Sequence, residues 1–362
     1  MNSTEHRIKQ LSDASKHALF AQLVGEFSEK DLTTYLEVEL GRADALDTFS
    51  THGNIRSKAI TPEHILHIVS GNTPHASMQS VFRGLLLGSA NTIKLPAGGL
   101  PELALWIDSL QEDLRKLVTL EEDIENFEWS SADVVIAIGS DSTINAIQNL
   151  ILPHQTFIPH GHKISVGIVI DPTHKAADLA AKDVSLYDQR GCLSLHAIYV
   201  DESSGTSARE FSNLLAKSMA DFATQTPPND LTLSEAGAIH NFRETIRFQA
   251  ANGYAVGIIE SSKSLDWTVV YQNSPTLHLS CLGRCVFVKP LPKTLDLETL
   301  GEEARHLSTI ALHPFDSEQA EKLIHLPAHR ICPLGQSQSP SLFWHHDGFA
   351  PLSSMVKWQD IG

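Results

Sequence analysis

The sequence predicts an α/β fold built on parallel strands that are buried on both faces. Three observations carry this. Strand-length runs such as residues 132–138 (ADVVIAI) and 164–170 (ISVGIVI) are apolar throughout, with no polar alternation. Segments of helical period, such as 142–152 and 176–187, follow them. Gly, Pro and Asn clusters, such as Pro96-Ala97-Gly98-Gly99-Leu100-Pro101, separate the two kinds of segment. A strand covered on one face alternates, whereas a strand between two helical layers reads as a continuous apolar run.

The elements follow in order. The first 55 residues are polar and helix-rich, and 26–46 fits helix or strand. A strand is expected at 64–69, closed by Ser70-Gly71-Asn72-Thr73-Pro74, then a helix at 78–88 with Val81, Phe82, Leu85 and Leu86 on one face. Another strand at 91–95 is followed by helical period over 101–118. After the strands and helices at 132–187 come a strand at 196–200 and a helix at 207–222. A break at Pro227-Pro228-Asn229 precedes a helix at 234–252. Strands at 255–260, 267–271 and 285–288 end the readable pattern. No internal repeat or low-complexity tract interrupts it.

A chain of 362 residues with 42% hydrophobic content can bury a large core in two domains, or in one domain with an added lobe. The formal net charge of -16 excludes a general binder of nucleic-acid backbone, since long-range repulsion opposes it. Four cysteines, Cys192, Cys281, Cys285 and Cys332, do not make a disulfide scaffold, and no second Cys or His pair gives zinc-finger spacing. These features, with no apolar run near 18 residues and no apolar leader, give the expectation of a cytoplasmic protein without a membrane span.

Four short motifs have chemistry in them, and each also has a plain structural reading. Asp188-Gln189-Arg190-Gly191-Cys192 puts a thiol in a turn between helix and strand, where backbone N–H groups can stabilise a thiolate or an oxyanion; a buried small hydrophobe fits as well. Gly139-Ser140-Asp141-Ser142-Thr143 follows a strand and opens a helix, which suits a phosphate or an ordinary N-cap. Lys94 ends an apolar strand and must reach solvent or meet an anion. Asn72 lies just past a strand, as an oxyanion donor or a turn residue.

Taken in order, these motifs resemble the aldehyde dehydrogenase superfamily. Within it they resemble the acyl-CoA reductase family of the bacterial luminescence fatty acid reductase. Gln189-Arg190-Gly191-Cys192 is similar to the superfamily's Gly-Gln-x-Cys loop, and residues 158–165 (IPHGHKIS) stand where other members have Glu-Leu-Gly-Gly-Lys. The tail, with Arg330-Ile331-Cys332-Pro333-Leu334-Gly335 and Trp344-His345-His346-Asp347-Gly348, is similar to the reductase family's C-terminal end.

The resemblance implies an aldehyde dehydrogenase-like fold of two lobes, each with a mostly parallel sheet flanked by helices. It implies a nucleotide-binding lobe over 1–188, a catalytic lobe over 189–330, and a tail over 331–362 packing back on the first lobe. It also implies a homo-oligomer. The activity implied is NADPH-dependent reduction of an acyl-CoA to the aldehyde. Cys192 would be the nucleophile and Asn72 an oxyanion donor. Lys94 would meet the adenosine ribose or its 2′-phosphate, and Gly139 with Ser140 the cofactor pyrophosphate. His160 or His162 would handle a proton, with shaping of the loop as the other reading of both.

Two departures accompany the likeness. No Glu-x-Phe-Gly-Pro segment follows Cys192, and Pro159 occupies the place of the water-activating Glu. The second departure suits a reductase, because an activated water would hydrolyse the acyl-enzyme before hydride reached it. Two alternatives remain open: an acyl-phosphate reductase, and a non-catalytic acyl- or nucleotide-binding protein on the same fold.

Overall fold

The computed structural model describes residues 3–124 and 127–362. The chain forms two compact units, Met1–His162 with Ser339–Gly362, and Lys163–Gln338. The first unit begins with α1 (Thr4–Ser15), α2 (Ala18–Leu23), α3 (Glu29–Leu40), β1 (Ser50–His52), β2 (Ile55–Ile60) and β3 (His64–Ile68). It continues with α4 (Pro74–Leu87), β4 (Ala90–Lys94), α5 (Pro101–Asp108), α6 (Glu112–Arg115) and β5 (Val118–Glu121). Then come β6 (Val134–Ile138), α7 (Asp141–Gln148) and β7 (Thr156–His160). The second unit carries β8 (Ile164–Val169), α8 (His174–Ser185), β9 (Leu195–Val200), α9 (Ala208–Gln225) and α10 (Leu233–Ala251). It also holds β10 (Val256–Glu260), β11 (Thr268–Gln272), β12 (Cys285–Pro290), α11 (Leu297–Leu300), β13 (Leu307–His313), α12 (Ser317–Glu321) and β14 (Arg330–Pro333). In the first unit again, β15 (Lys357–Ile361) pairs antiparallel with β2.

Helix starts follow local chemistry. Ser28–Asp31, Ser207–Glu210 and Thr232–Glu235 form reciprocal capping boxes on α3, α9 and α10. Pro74 sits in the first turn of α4, where no amide partner is needed, and Gly88 ends that helix at φ 84°.

The first unit's main sheet has order β5-β4-β3-β6-β7, all parallel. Its strands are apolar on both faces for the expected reason. Ile65 and Ile136 pack in the core that holds Val81, Phe82 and Leu85 of α4. Leu66, Val135 and Ala137 face the other way, against Ile144 and Ile147 of α7. A small antiparallel sheet, β1-β2-β15, completes this unit. The second unit's sheet has order β10-β11-β12-β9-β8-β13-β14, and only β10 runs antiparallel. It too has a core on each face, with Ile198 and Val288 on one side and Tyr199 and Phe287 on the other.

The structure differs from the sequence reading in three places. Residues 101–118 are two short helices and the beginning of β5, not one helix. Residues 157–160 are strand, not loop. Sequence reasoning carried the first lobe to 188 and closed the second at 330. In the structure β8 hydrogen-bonds to β9 and β13, and β14 to β13, so these segments belong to the second sheet. Among the described residues no helix is long and apolar enough to cross a membrane.

Candidate active site

In the first unit the chain runs from β3 outward to β4 and β5, then returns to β6 on the other side of β3. Open parallel sheets bind nucleotides at the carboxyl ends of the strands where the order reverses, because the loops there diverge and leave a crevice. That edge collects most of the expected residues. Asn72 is exposed in the loop between β3 and α4. Lys94 is the half-buried last residue of β4, its ammonium donating to the Leu95 carbonyl at 2.6 Å. Gly139 follows β6, and Ser140 caps α7 by accepting from the Thr143 amide at 3.3 Å. The Gly139 amide donates to the His160 carbonyl at 3.1 Å, which ties this turn to the end of β7.

This donor set fits a dinucleotide: backbone amides and hydroxyls at a helix start, with a lysine two strands away. Asp141, in the first turn of α7, would repel a phosphate. Its Oδ1 is occupied by the His162 amide at 2.7 Å, and Gly161 makes room for that contact, since a Cβ there would lie 2.6 Å from Oδ1.

The two histidines of the 158–165 segment part company. His162 is exposed and uses its backbone amide. His160 is buried at the end of β7, with Nδ1 3.0 Å from Asp347 Oδ2. His346 stacks on the His160 ring at 3.8 Å between centroids and 12° between planes, and its Nε2 is 3.7 Å from the same oxygen. Burial pushes the His346 pKa well below the ordinary imidazole value, and His160, Arg83 and His75 push the same way. These three side chains offer metal-ligating atoms within 4.8 Å of one another. The ring geometry argues against an ion, because each lone pair lies in its own ring plane and two parallel planes 3.8 Å apart do not meet at one point. Pro159 lies within β7, where an edge strand tolerates a residue with no amide to give.

In the second unit Cys192 is half-buried in a turn closed by the Ser194 amide donating to Gly191 at 3.0 Å, directly before β9. Its carbonyl accepts from Ser165 Oγ at 2.9 Å. The approach to this turn is unusual. Tyr187, Asp188 and Gln189 have φ 56°, 51° and 63°, three consecutive left-handed residues with side chains. Such backbone persists only when its surroundings hold it. A second left-handed run, Leu282, Gly283 and Arg284, does so.

The holding contacts are specific. The Arg284 guanidinium donates to Asp188 Oδ1 at 2.9 and 2.8 Å, both side chains about 95% buried. Asp188 Oδ2 accepts from the Asn229 amide at 3.2 Å and from its Nδ2 at 2.7 Å. Gln189 donates to the carbonyls of Leu195 and Cys285 and accepts from the Cys285 amide at 2.8 Å.

The other thiols differ from Cys192. Cys285 and Cys332 are buried, and burial pushes Cys332 to about 11. Cys281 is half-buried, its pKa lowered by a hydrogen bond with Cys285, whose own is raised by the same bond and by burial.

Sequence reasoning missed Asp188, Gln189, Arg284 and Asp347. Asp188 and Gln189 stood within the quoted motif, yet nothing local shows that their partners lie 96 residues on.

A sequence profile described as acyl-CoA reductase (LuxC) matches residues 2–358. The long-chain acyl-protein thioester reductase of Photorhabdus laumondii subsp. laumondii is 23% identical over 347 residues, covering 91% of this chain and 70% of that one. Among solved structures, aldehyde dehydrogenase C from Pseudomonas syringae, complexed with NAD+ and octanal, superposes with a TM-score of 0.66 at 12% identity, covering 99% of this chain and 84% of that one. An NADP-dependent glyceraldehyde-3-phosphate dehydrogenase from Bacillus halodurans, complexed with NADP, gives 0.64 at 14% identity, covering 100% and 87%. The fold is therefore aldehyde dehydrogenase-like. The family match runs through both units and every site residue expected from the sequence, and the chain belongs to the acyl-CoA reductase (LuxC) family.

Proposed function

We propose that this protein reduces a fatty acyl thioester, offered as acyl-CoA, to the aldehyde with NADPH, through an acyl group carried on Cys192. The observation that carries the reading is the Cys192 turn: a half-exposed thiol whose approach is held in strained backbone by a buried ion pair. Strain of this kind gathers where geometry matters to function. The name of the Photorhabdus relative supports a thioester substrate, and there the thiol is a protein's. Both donors present the same carbonyl to a nucleophile.

Cys192 attacks the thioester carbonyl, a carbon–sulfur bond forms, and the donor thiol departs. Asn72 is assigned the donation to the oxyanion, and Gly139, Ser140 and Lys94 the hold on the cofactor. NADPH held by these residues would supply a hydride for the acyl carbon. Cys192 then leaves as thiolate and the aldehyde is released. Pro159 has no side-chain base, so hydrolysis of the acyl group lacks the roughly 10²–10⁴-fold help that such a base gives.

The test is purified protein with a panel of acyl-CoA chain lengths, with acyl-protein thioester as a parallel donor. Intact mass and peptide mapping without NADPH should place the acyl group on Cys192 alone, and adding NADPH should release trapped aldehyde. Acylation that survives Cys192→Ala, or steady release of free fatty acid, would overturn the reading.

A further inference from the structure

The loop that holds the Cys192 turn carries two thiols of its own, and the acyl chemistry uses neither. Cys281 and Cys285 flank Leu282, Gly283 and Arg284, whose φ values are 66°, 64° and 59°. Three left-handed residues make most of one α-type turn, and residues four apart in such a turn lie on one side of it. The sulfurs meet there. The two thiols share a hydrogen bond. Each also reaches the carbonyl of a residue between them, Cys281 that of Leu282 at 3.6 Å and Cys285 that of Gly283 at 3.8 Å. Helix α10 packs closely on the run: a Cβ on Gly283 would lie 2.7 Å from Ile239 Cδ1.

We propose that Cys281 and Cys285 are a redox-active pair that hydrogen peroxide converts to an intramolecular disulfide, with Cys281 attacking the peroxide and Cys285 resolving the product. Burial divides the roles. Cys281 is half-buried and lines a cavity of about 140 Å³ with Arg190, Glu235, Ile239, Leu282 and Gly283, which has room for several water-sized molecules. Cys285 is fully buried as the first residue of β12, so the exposed member of the pair meets an oxidant first. The hydrogen bond from Cys285 and, more weakly, the Arg243 cation favour the Cys281 thiolate against the pull of burial, and the thiolate is the form that attacks. Burial pushes Cys332 up to about 11 and so takes it out of the competition.

The step balances. The Cys281 thiolate attacks one peroxide oxygen and the O–O bond breaks. The departing hydroxide takes up the proton that Cys281 released, leaving a sulfenic acid and one water. The Cys285 sulfur then attacks the Cys281 sulfur, the S–O bond breaks, and the leaving hydroxide takes the Cys285 proton to form a second water. The two sulfurs have lost two electrons, and the peroxide oxygens have gained them. The disulfide would enclose the residues that brace the Cys192 turn: Arg284, paired with Asp188, and Cys285, whose backbone exchanges hydrogen bonds with Gln189. None of this requires acyl transfer at Cys192.

Trypsin cuts after Lys263, Arg284 and Lys293 (the Lys289–Pro290 bond resists it), so the two cysteines fall in separate peptides, 264–284 and 285–293. Folded protein, checked by circular dichroism, is exposed to equimolar hydrogen peroxide. Unreacted thiols are blocked with iodoacetamide, and the digest is analysed by mass spectrometry without reductant. The two peptides should be recovered joined, lighter than their sum by two hydrogens, and dithiothreitol should part them. Cys285→Ser should leave Cys281 as a sulfenic acid that dimedone traps, and Cys281→Ser should leave Cys285 reduced. Protein unfolded in urea should form the link at least about tenfold more slowly, because the turn that aligns the sulfurs is gone. Peptides that stay separate in the oxidised folded protein, or Cys281 joined instead to Cys192 or Cys332, would overturn the proposal. So would equal rates in urea, which would make the link a matter of sequence spacing alone. A Cys281→Ser variant whose Cys285 oxidises at the wild-type rate would overturn the assignment of Cys281 as the attacking thiol.

Discussion

Asp188→Asn removes the charge from the clamp beneath the Cys192 turn while keeping the side-chain size and the tolerance for left-handed backbone. It leaves the Arg284 guanidinium 3% exposed, with the Thr226 carbonyl at 2.9 Å and the Phe222 ring at 5.7 Å as its remaining support. Stranding a buried charge in this way costs about 3–5 kcal/mol. Asn229, which gives two hydrogen bonds to the same carboxylate, pushes the loss toward the upper end. With a urea dependence of roughly 2 kcal/mol per molar, the unfolding midpoint should fall by about 2 M. Removing the second charge as well, in Asp188→Asn with Arg284→Met, should return much of that stability, because two neutral groups need no pairing. It should not return the acylation rate of Cys192, since the left-handed run has still lost its restraint. Urea unfolding followed by circular dichroism, with Cys192 acylation measured on the same samples, decides the matter. A midpoint shift under about 0.5 M would put the pair in the class of exposed ion pairs and refute the reasoning on stability. Wild-type acylation in the folded double variant would refute the link to the nucleophile.

Three further outcomes are expected. His67 is fully buried between Ser80 Oγ at 2.8 Å and Asn91 Oδ1 at 3.0 Å, and burial lowers its pKa to about 4. Its contribution is therefore complete above pH 6.5 and is lost as pH falls toward 4, by about 3 kcal/mol in all; His67→Gln should flatten that part of the stability curve, and an unchanged slope would contradict the assignment. Gly84→Ala would set a Cβ 1.9 Å from Asn91 Oδ1, so it should break the His67–Asn91 contact and lower stability by about 1–3 kcal/mol in a melting experiment. Lys94→Ala should weaken NADPH binding by about ten- to a hundredfold while sparing NADH, and equal losses in calorimetric titration would show that Lys94 does not read the 2′-phosphate.

The part of the fold that could be read from sequence is the part whose signal is local. β6 and β8 announce themselves because strands covered on both faces must be apolar at every position. β7 does not, because it is an edge strand that carries Pro159 and ends in a histidine, and both features read as loop. β5 is hidden for a related reason: Val118, Thr119, Leu120 and Glu121 sit at the other edge, half of them polar, with no Gly or Pro to mark the end of α6.

The site divides the same way. Asn72, Gly139 and Ser140 follow recognisable strands and Lys94 ends one, and strand ends of one parallel sheet necessarily share an edge, so the sequence alone groups these four candidates. His160 and His162 looked equivalent on the page. In the structure His160 is buried beside Asp347 while His162 is exposed, and no local pattern encodes a pairing at that separation.

The first unit is discontinuous, and this bears on how the protein is made. Residues 163–338 are one continuous stretch, so the second unit is complete as soon as it emerges from the ribosome. The first unit must wait. Until residues 339–362 are synthesised, β2 lacks its partner β15, and the donors on Tyr35, Gln79 and Arg83 have none of their carbonyl acceptors at Pro340 and Leu342. During that interval a sheet edge and a buried cation stand open to water, and to any chaperone that recognises such surfaces. Translation order thus makes the discontinuous unit the later of the two to be completed, and the His160–Asp347 pair can assemble only once residues 163–338 have been made.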